Sequence, residues 1–245
     1  MAGWKEGARH LRLASLAGAI TGVVVGGLLG RVVMRISGFV AGSSLVGVTT
    51  ENGNRVGDIT FAGTFALIMF IGLPFGLLGG IVYAIVEPWL RRARPWHGLV
   101  FGAGLLLAVG FLVLDPSNFD FTRFGVPLLN VAMFAALFLI FGAVIAWLFD
   151  ALERQRDGNG RAARVVDILA WLSLLPALTV VALFVGGGAG LEPPLAILIV
   201  ATVAAPAVVR WLDLPKAIGY ASIAAVLLFG ATRTLSGLPD LVRGF

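Results

Sequence analysis

LASLAGAITGVVVGGLLGRVVMRISG, residues 13–38, is the stretch whose reading decides the class of this protein. No charge interrupts it before Arg31. At about 1.5 Å per residue that uncharged run is about 27 Å long as a helix, close to the ~30 Å hydrocarbon layer of a bilayer. Glycines recur at four-residue spacing, Gly18, Gly22, Gly26 and Gly30, and such rows let two helix backbones approach closely in lipid. Lys5, Arg9 and Arg12 precede the run as they would in a signal peptide, but no small-residue cleavage site follows before Arg31. The stretch is therefore expected to be an uncleaved first membrane span.

Its last third, Gly27–Gly38, carries two arginines one turn apart. Stepping about 100° per residue, Gly27, Gly30, Arg31, Met34, Arg35, Ser37 and Gly38 share one side, and Leu28, Leu29, Val32, Val33 and Ile36 take the other. The small and cationic side is expected to face protein or water, the branched apolar side lipid. Two charges in a span normally meet a partner or a watery cavity, because a bare charge in hydrocarbon costs several kcal/mol.

Composition extends this reading to the whole chain. Of 245 residues, 59% are hydrophobic and 13% charged, against about 25% charged in a soluble domain, and the mean hydropathy is +0.98. Further apolar runs predict spans at about 61–86, 98–114, 126–149, 166–186, 193–211 and 217–236. The expected fold is an all-α integral membrane protein, a single transmembrane domain of seven helices, with the charged connection 150–165 as a possible sub-division. Gly72, Gly76 and Gly80 in the second span match the row in the first, so the two are expected to pack as an antiparallel hairpin, with Pro74 kinking the second. Asn52-Gly53, between short β-prone runs in 45–60, predicts a small hairpin outside the membrane.

Orientation follows from the basic residues. All but Lys5 and Lys216 of the 18 are arginine. With the N-terminus inside, Lys5, Arg9, Arg12, Arg91, Arg92, Arg94, Arg154, Arg156, Arg161, Arg164, Arg210 and Lys216 fall on the cytoplasmic side. Arg55, Arg123, Arg233 and Arg243 fall outside. Twelve against four in short connections predicts N-in and C-out, in the cytoplasmic membrane of a bacterium. The formal charge of +5 is then topology and attraction to anionic lipid, and implies no nucleic-acid partner.

The functional expectation is a non-enzymatic protein that binds or moves an anionic small molecule or lipid headgroup at an outward-facing pocket. Arg31, Arg35, Asp115, Asp120, Arg123 and Asn130 are its candidate residues, since the arginine fork matches carboxylate and phosphate oxygens. The alternative is a structural or accessory subunit in which Arg31 and Arg35 sit in internal salt bridges and the helix-packing glycine rows (Gly18, Gly22, Gly26, Gly30, Gly72, Gly76, Gly80) pack against a partner. A third reading is a lipid-acting enzyme using Asp115 or Asp120, but no nucleophile–base pair is visible.

Several classes are excluded. There is no cysteine, hence no disulfide, thiolate metal site or cysteine nucleophile. His10 and His97 are predicted on the side opposite the acidic 115–125 loop, and HExxH, GxSxG and GxxxxGK[ST] do not occur. A retinal Schiff base needs a lysine deep in the last span, whereas Lys216 stands at its mouth. No cofactor or metal is implied, and membrane lipids are the one partner the composition names. Whether the chain assembles with itself or another protein is not written in it.

Overall fold

The computed structural model describes residues 2–40, 42, 60–114, 126–156, 160–185 and 216–243. Among them all regular structure is helical. The first helix, α1, is a continuous rod: α-helical over Ala2–Thr21, π-helical over Gly22–Leu29, and α-helical again over Gly30–Val40. Helix α2 has the same construction, with Phe61–Leu67, a π-helical Ile68–Gly72, and Leu73–Leu90. It begins at Thr60, whose hydroxyl accepts a hydrogen bond from the Gly63 N–H at 3.1 Å, the usual way a helix start satisfies a free amide. A 3₁₀ turn, Arg91–Ala93, leads into α3, His97–Val109, which ends in a second 3₁₀ turn, Gly110–Leu112. Then come α4, Pro127–Arg156, α5, Arg161–Val185, and α6, Lys216–Arg243.

Four of these helices are long and apolar enough to cross a membrane, over Glu6–Val40, Phe61–Ala93, Pro127–Gln155 and Arg161–Ala182. His97–Leu112 and Ile223–Gly237 are shorter apolar helices. The chain is thus an all-helical protein with the helices of a membrane protein. The sixth expected span, 193–211, and nearly all of the 45–60 hairpin lie outside the described residues.

Two boundaries differ from the sequence reading for one physical reason. Helix α1 starts at Ala2 rather than Leu13, and α4 and α5 run through most of 150–165, expected to be a connection. Hydropathy marks where the apolar layer ends, but a helix continues beyond it whenever its charged residues find partners at the rim. Here they do, as the ionic contacts below show.

Apolar side chains lie on the outside of the bundle as well as in its core. Val24, Leu28, Val32, Phe70, Trp147, Leu175 and Leu228 are exposed on the outside of their helices, where lipid is the natural solvent. Inside, one core cluster joins Leu13, Ala14 and Ala17 of α1 to Tyr83 of α2, Phe101 of α3, Ile145 and Phe149 of α4, and Val166 and Ala170 of α5. Where helices long and apolar enough to cross a membrane pack together, close backbone approach can stand in for the hydrophobic drive that water would supply. The α1–α2 contact supplies it. A Cβ on Gly18 would lie 2.8 Å from the Cα of Gly80, and one on Gly22 would lie 2.6 Å from the Cα of Gly76. The pairing runs antiparallel.

The row does not continue as an unbroken α-helix would carry it. A Cβ on Gly26 would lie 3.2 Å from the Cα of Gly72, a looser approach, and one on Gly30 would come no nearer than 3.8 Å to Val25 of its own helix and 4.0 Å to the tip of Leu67. Gly27 takes up the contact instead, since a Cβ there would lie 2.5 Å from the Ile68 side chain. The cause is the π stretch. Bonding i to i+5 widens each turn, so residues beyond Gly22 lag behind the α-helical phase and the contact line moves one residue on. The partner π stretch in α2 stops just before Leu73-Pro74, where the proline ring cannot be part of an ordinary i−4 bond. A second glycine contact, not foreseen, joins α3 to α4. There a Cβ on Gly102 would lie 2.8 Å from the Cα of Leu139, and one on Gly98 would lie 2.9 Å from the Cα of Ala143.

Candidate functional site: an ionic mouth at the start of the first helix

The far end of α1 comes first, because the arginines are there. Along Gly30–Val40 the buried residues are Gly30, Val33, Ser37 and Gly38. Val33, expected to face lipid, is inside. Arg31 is half-buried at the edge of this face, while Met34 and Arg35 are exposed. The inner face is therefore turned away from the arginines toward Val33. Asn130, in the first turn of α4, is buried and accepts a hydrogen bond from the Ser37 hydroxyl at 2.7 Å. A serine one turn beyond the arginines, and not the arginines themselves, makes that contact to α4. Asp115, Asp120 and Arg123 lie outside the described residues, so of the six candidate residues the structure places Arg31, Arg35 and Asn130 only.

Ionic side chains gather at the opposite end. Three separate stretches contribute them: the first turns of α1, the last turn of α2 with the bend that follows, and the last turns of α4. Glu153 Oε1 accepts from the Arg9 guanidinium at 3.2 Å and lies 3.3 Å from His10 Nε2. One turn earlier on the same face of α4, Asp150 accepts from Arg94 at 3.1 Å and lies 3.8 Å from His97 Nε2. Each carboxylate thus bridges one arginine and one histidine. A third pair, Glu87 with Arg91, sits at the end of α2, with the carboxylate almost wholly buried and the guanidinium half exposed. To one side, Arg12 ties α1 to α5 through Asp167 at 3.5 Å and stacks on Trp171 at 4.1 Å.

The cluster has an aromatic floor. Tyr83, fully buried, meets Phe101 and Phe149 edge-on at 5.0 and 5.5 Å, and the His10 ring meets Phe149 edge-on at 5.9 Å. Above it a cavity of about 460 Å³ opens at the end of the bundle, lined by Glu6, Arg9, His10, Arg91, Arg94 and Glu153. Every lining side chain is ionisable. That volume lies within the range of small-ligand pockets, but the lining is unlike the usual apolar one and suits a small charged group. Each guanidinium has five N–H donors in a planar fork, so an arginine that holds one carboxylate edge-on still presents donors in other directions. Among the described residues no group of three His, Asp or Glu is placed to hold a metal ion.

The sequence reading passed over these residues because it sorted His10 and His97 by side of the membrane and read the arginine clusters as orientation signals. Two local signals were available. Glu87 and Arg91 are at i, i+4 in the last turn of an apolar helix, and Asp150 and Glu153 are at i, i+3 on what proved to be one helix. The meeting of Glu153 with His10 and of Asp150 with His97 was not readable, since it joins residues more than 50 positions apart. No protein-family model matches the chain, and neither a curated protein nor a solved structure matches it.

Proposed function

We propose that this chain is a multi-pass protein of a bacterial cytoplasmic membrane that binds the anionic group of a small molecule or lipid headgroup. We place the site at the mouth formed by Arg9, Arg91 and Arg94. The observation that carries this reading is the 460 Å³ cavity into which three guanidiniums and an imidazole converge from two elements. With the N-terminus inside, as the arginine asymmetry implies, this mouth opens at the inner leaflet, where anionic headgroups concentrate. The outward-facing pocket expected from Arg31 and Arg35 has weaker support, because Arg35 is exposed on the outer surface of α1.

The alternative of a structural subunit draws on the same ionic contacts, which join α1 to α4 and α5. Its other argument, glycine rows offered to a partner, is weakened by the α1–α2 contact, which uses those rows within the chain.

Native mass spectrometry of the gently purified protein separates the readings. Binding at the mouth predicts that a co-purifying anionic lipid or solute is lost in Arg9→Gln and Arg94→Gln and retained in the double variant Arg31→Gln, Arg35→Gln. The reverse pattern would return the site to the far end of α1. Adducts unchanged in all of these folded variants would end the proposal.

A further inference from the structure

We infer that anion binding at this mouth is coupled to uptake of a proton, with His10 as its seat. The inference rests on the binding reading above and adds its regulation.

The starting point is the charge already present. Arg9, Arg91 and Arg94 are matched by Glu153, Glu87 and Asp150, and Glu6 adds a further negative charge at the exposed rim. Arg12 and Asp167, reaching α1 from α5, cancel one another. Among the described residues the mouth therefore carries no excess positive charge for an incoming anion to meet. Three arginines already face four carboxylates, so an added anion deepens a negative excess over an aromatic floor, where charge is poorly screened.

Uptake of a proton offsets the charge the anion adds, and histidine is the side chain that ordinarily gains charge between about pH 8 and 5. Two are present. His97 is at the foot of α3 beside Asp150 and does not line the cavity, whereas His10 does. His10 is 94% buried by its 6% exposure, with Nε2 at Glu153 and Nδ1 buried without a hydrogen-bond partner. Neutral, the ring needs a proton on only one nitrogen. Protonated, it has two N–H donors and places a positive charge at the wall of the cavity, where a bound anion would feel it. The remaining titratable neighbours do not compete for this part. Tyr83 is neutral in the range concerned, and Glu87 is already bound to Arg91.

Linkage fixes the sign. A ligand that binds the protonated form more tightly takes up a proton as it binds, so its affinity rises as the pH falls through the range in which the free site loses its proton.

The test uses the full chain in detergent and two probes of one chemistry, a phosphodiester whose charge does not change in this range. Soluble glycerophosphoglycerol is titrated calorimetrically in two phosphate-free buffers of different ionisation heat, and phosphatidylglycerol is presented in lipid nanodiscs. Coupling predicts a buffer-dependent heat corresponding to about one proton taken up, and affinity higher by on the order of tenfold at about pH 6 than at about pH 8. The probe that shows both identifies the source, free solute or headgroup. His10→Gln should remove most of the pH dependence and the buffer-dependent heat, whatever it does to the affinity itself. Binding with the same heat in both buffers and the same affinity at both pH values would overturn the coupling and leave the anion site standing. Failure of both probes to bind at any pH would instead remove the binding reading on which the coupling rests. Should His10→Gln not fold, the buffer comparison on the unaltered protein decides alone.

Discussion

Gly22 and Gly30 have the same spacing in sequence and opposite surroundings in the fold, and replacing each with alanine should give opposite results. At Gly22 the added methyl would lie 2.6 Å from the Cα of Gly76 and 3.0 Å from the carbonyl carbon of Gly72. Carbon atoms rest at about 3.5–4.0 Å, so α1 and α2 must part locally by about 1 Å. The obstructing atoms are backbone, which cannot swing aside as a side chain would. Overpacking of this kind costs about 1–3 kcal/mol, and alanine returns up to about 1 kcal/mol through its better helix propensity. A net loss of about 2 kcal/mol lowers the melting midpoint of a chain this size by roughly 4–8 °C. At Gly30 the nearest atoms are 3.8 and 4.0 Å away, ordinary contact, so the propensity gain acts alone and the midpoint stays level or rises by up to about 4 °C. Thermal unfolding in a single detergent, followed by loss of the monodisperse size-exclusion peak, reads both. If Gly30→Ala melts as low as Gly22→Ala, the phase shift attributed to the π stretch is wrong. If Gly22→Ala melts with the native protein, the close approach of the two backbones is wrong.

Other predictions concern the remaining interfaces. Asn130→Ala leaves the buried Ser37 hydroxyl without its acceptor and should cost about 1–3 kcal/mol, and a double-mutant cycle with Ser37→Ala should return a coupling near 1 kcal/mol. A coupling of zero would mean that this hydrogen bond does not hold α1 to α4. Because the chain has no cysteine, single cysteines report sidedness cleanly. In intact cells Asn52→Cys should react with a membrane-impermeant maleimide and Asn159→Cys only after the membrane is opened. Labelling in the opposite order would invert the orientation read from the arginines, and with it the leaflet assigned to the ionic mouth.

The sequence by itself determined the helical class and the presence of segments apolar enough to cross a membrane. A chain that is 59% hydrophobic with long uncharged runs must satisfy its backbone internally in lipid, and helices do so without reference to any other part of the chain. Local spacing also made the α1–α2 contact legible, because glycines every fourth residue form a stripe on any helix. Tertiary structure decided what depends on phase and convergence. The stripe passes from Gly22 to Gly27 rather than to Gly30, since a π stretch changes the angle per residue and no composition signal marks where one forms. The same local geometry turns Val33 and Ser37 inward and leaves Arg35 on the outer surface. The ionic mouth needs His10, Glu87, Arg94, His97, Asp150 and Glu153, which come from helices whose relative positions are set by backbone contacts at Gly18–Gly80 and Gly102–Leu139. Ionic pairing acts over a few ångströms, so which charges meet is a property of how the helices pack and is not carried by any one segment.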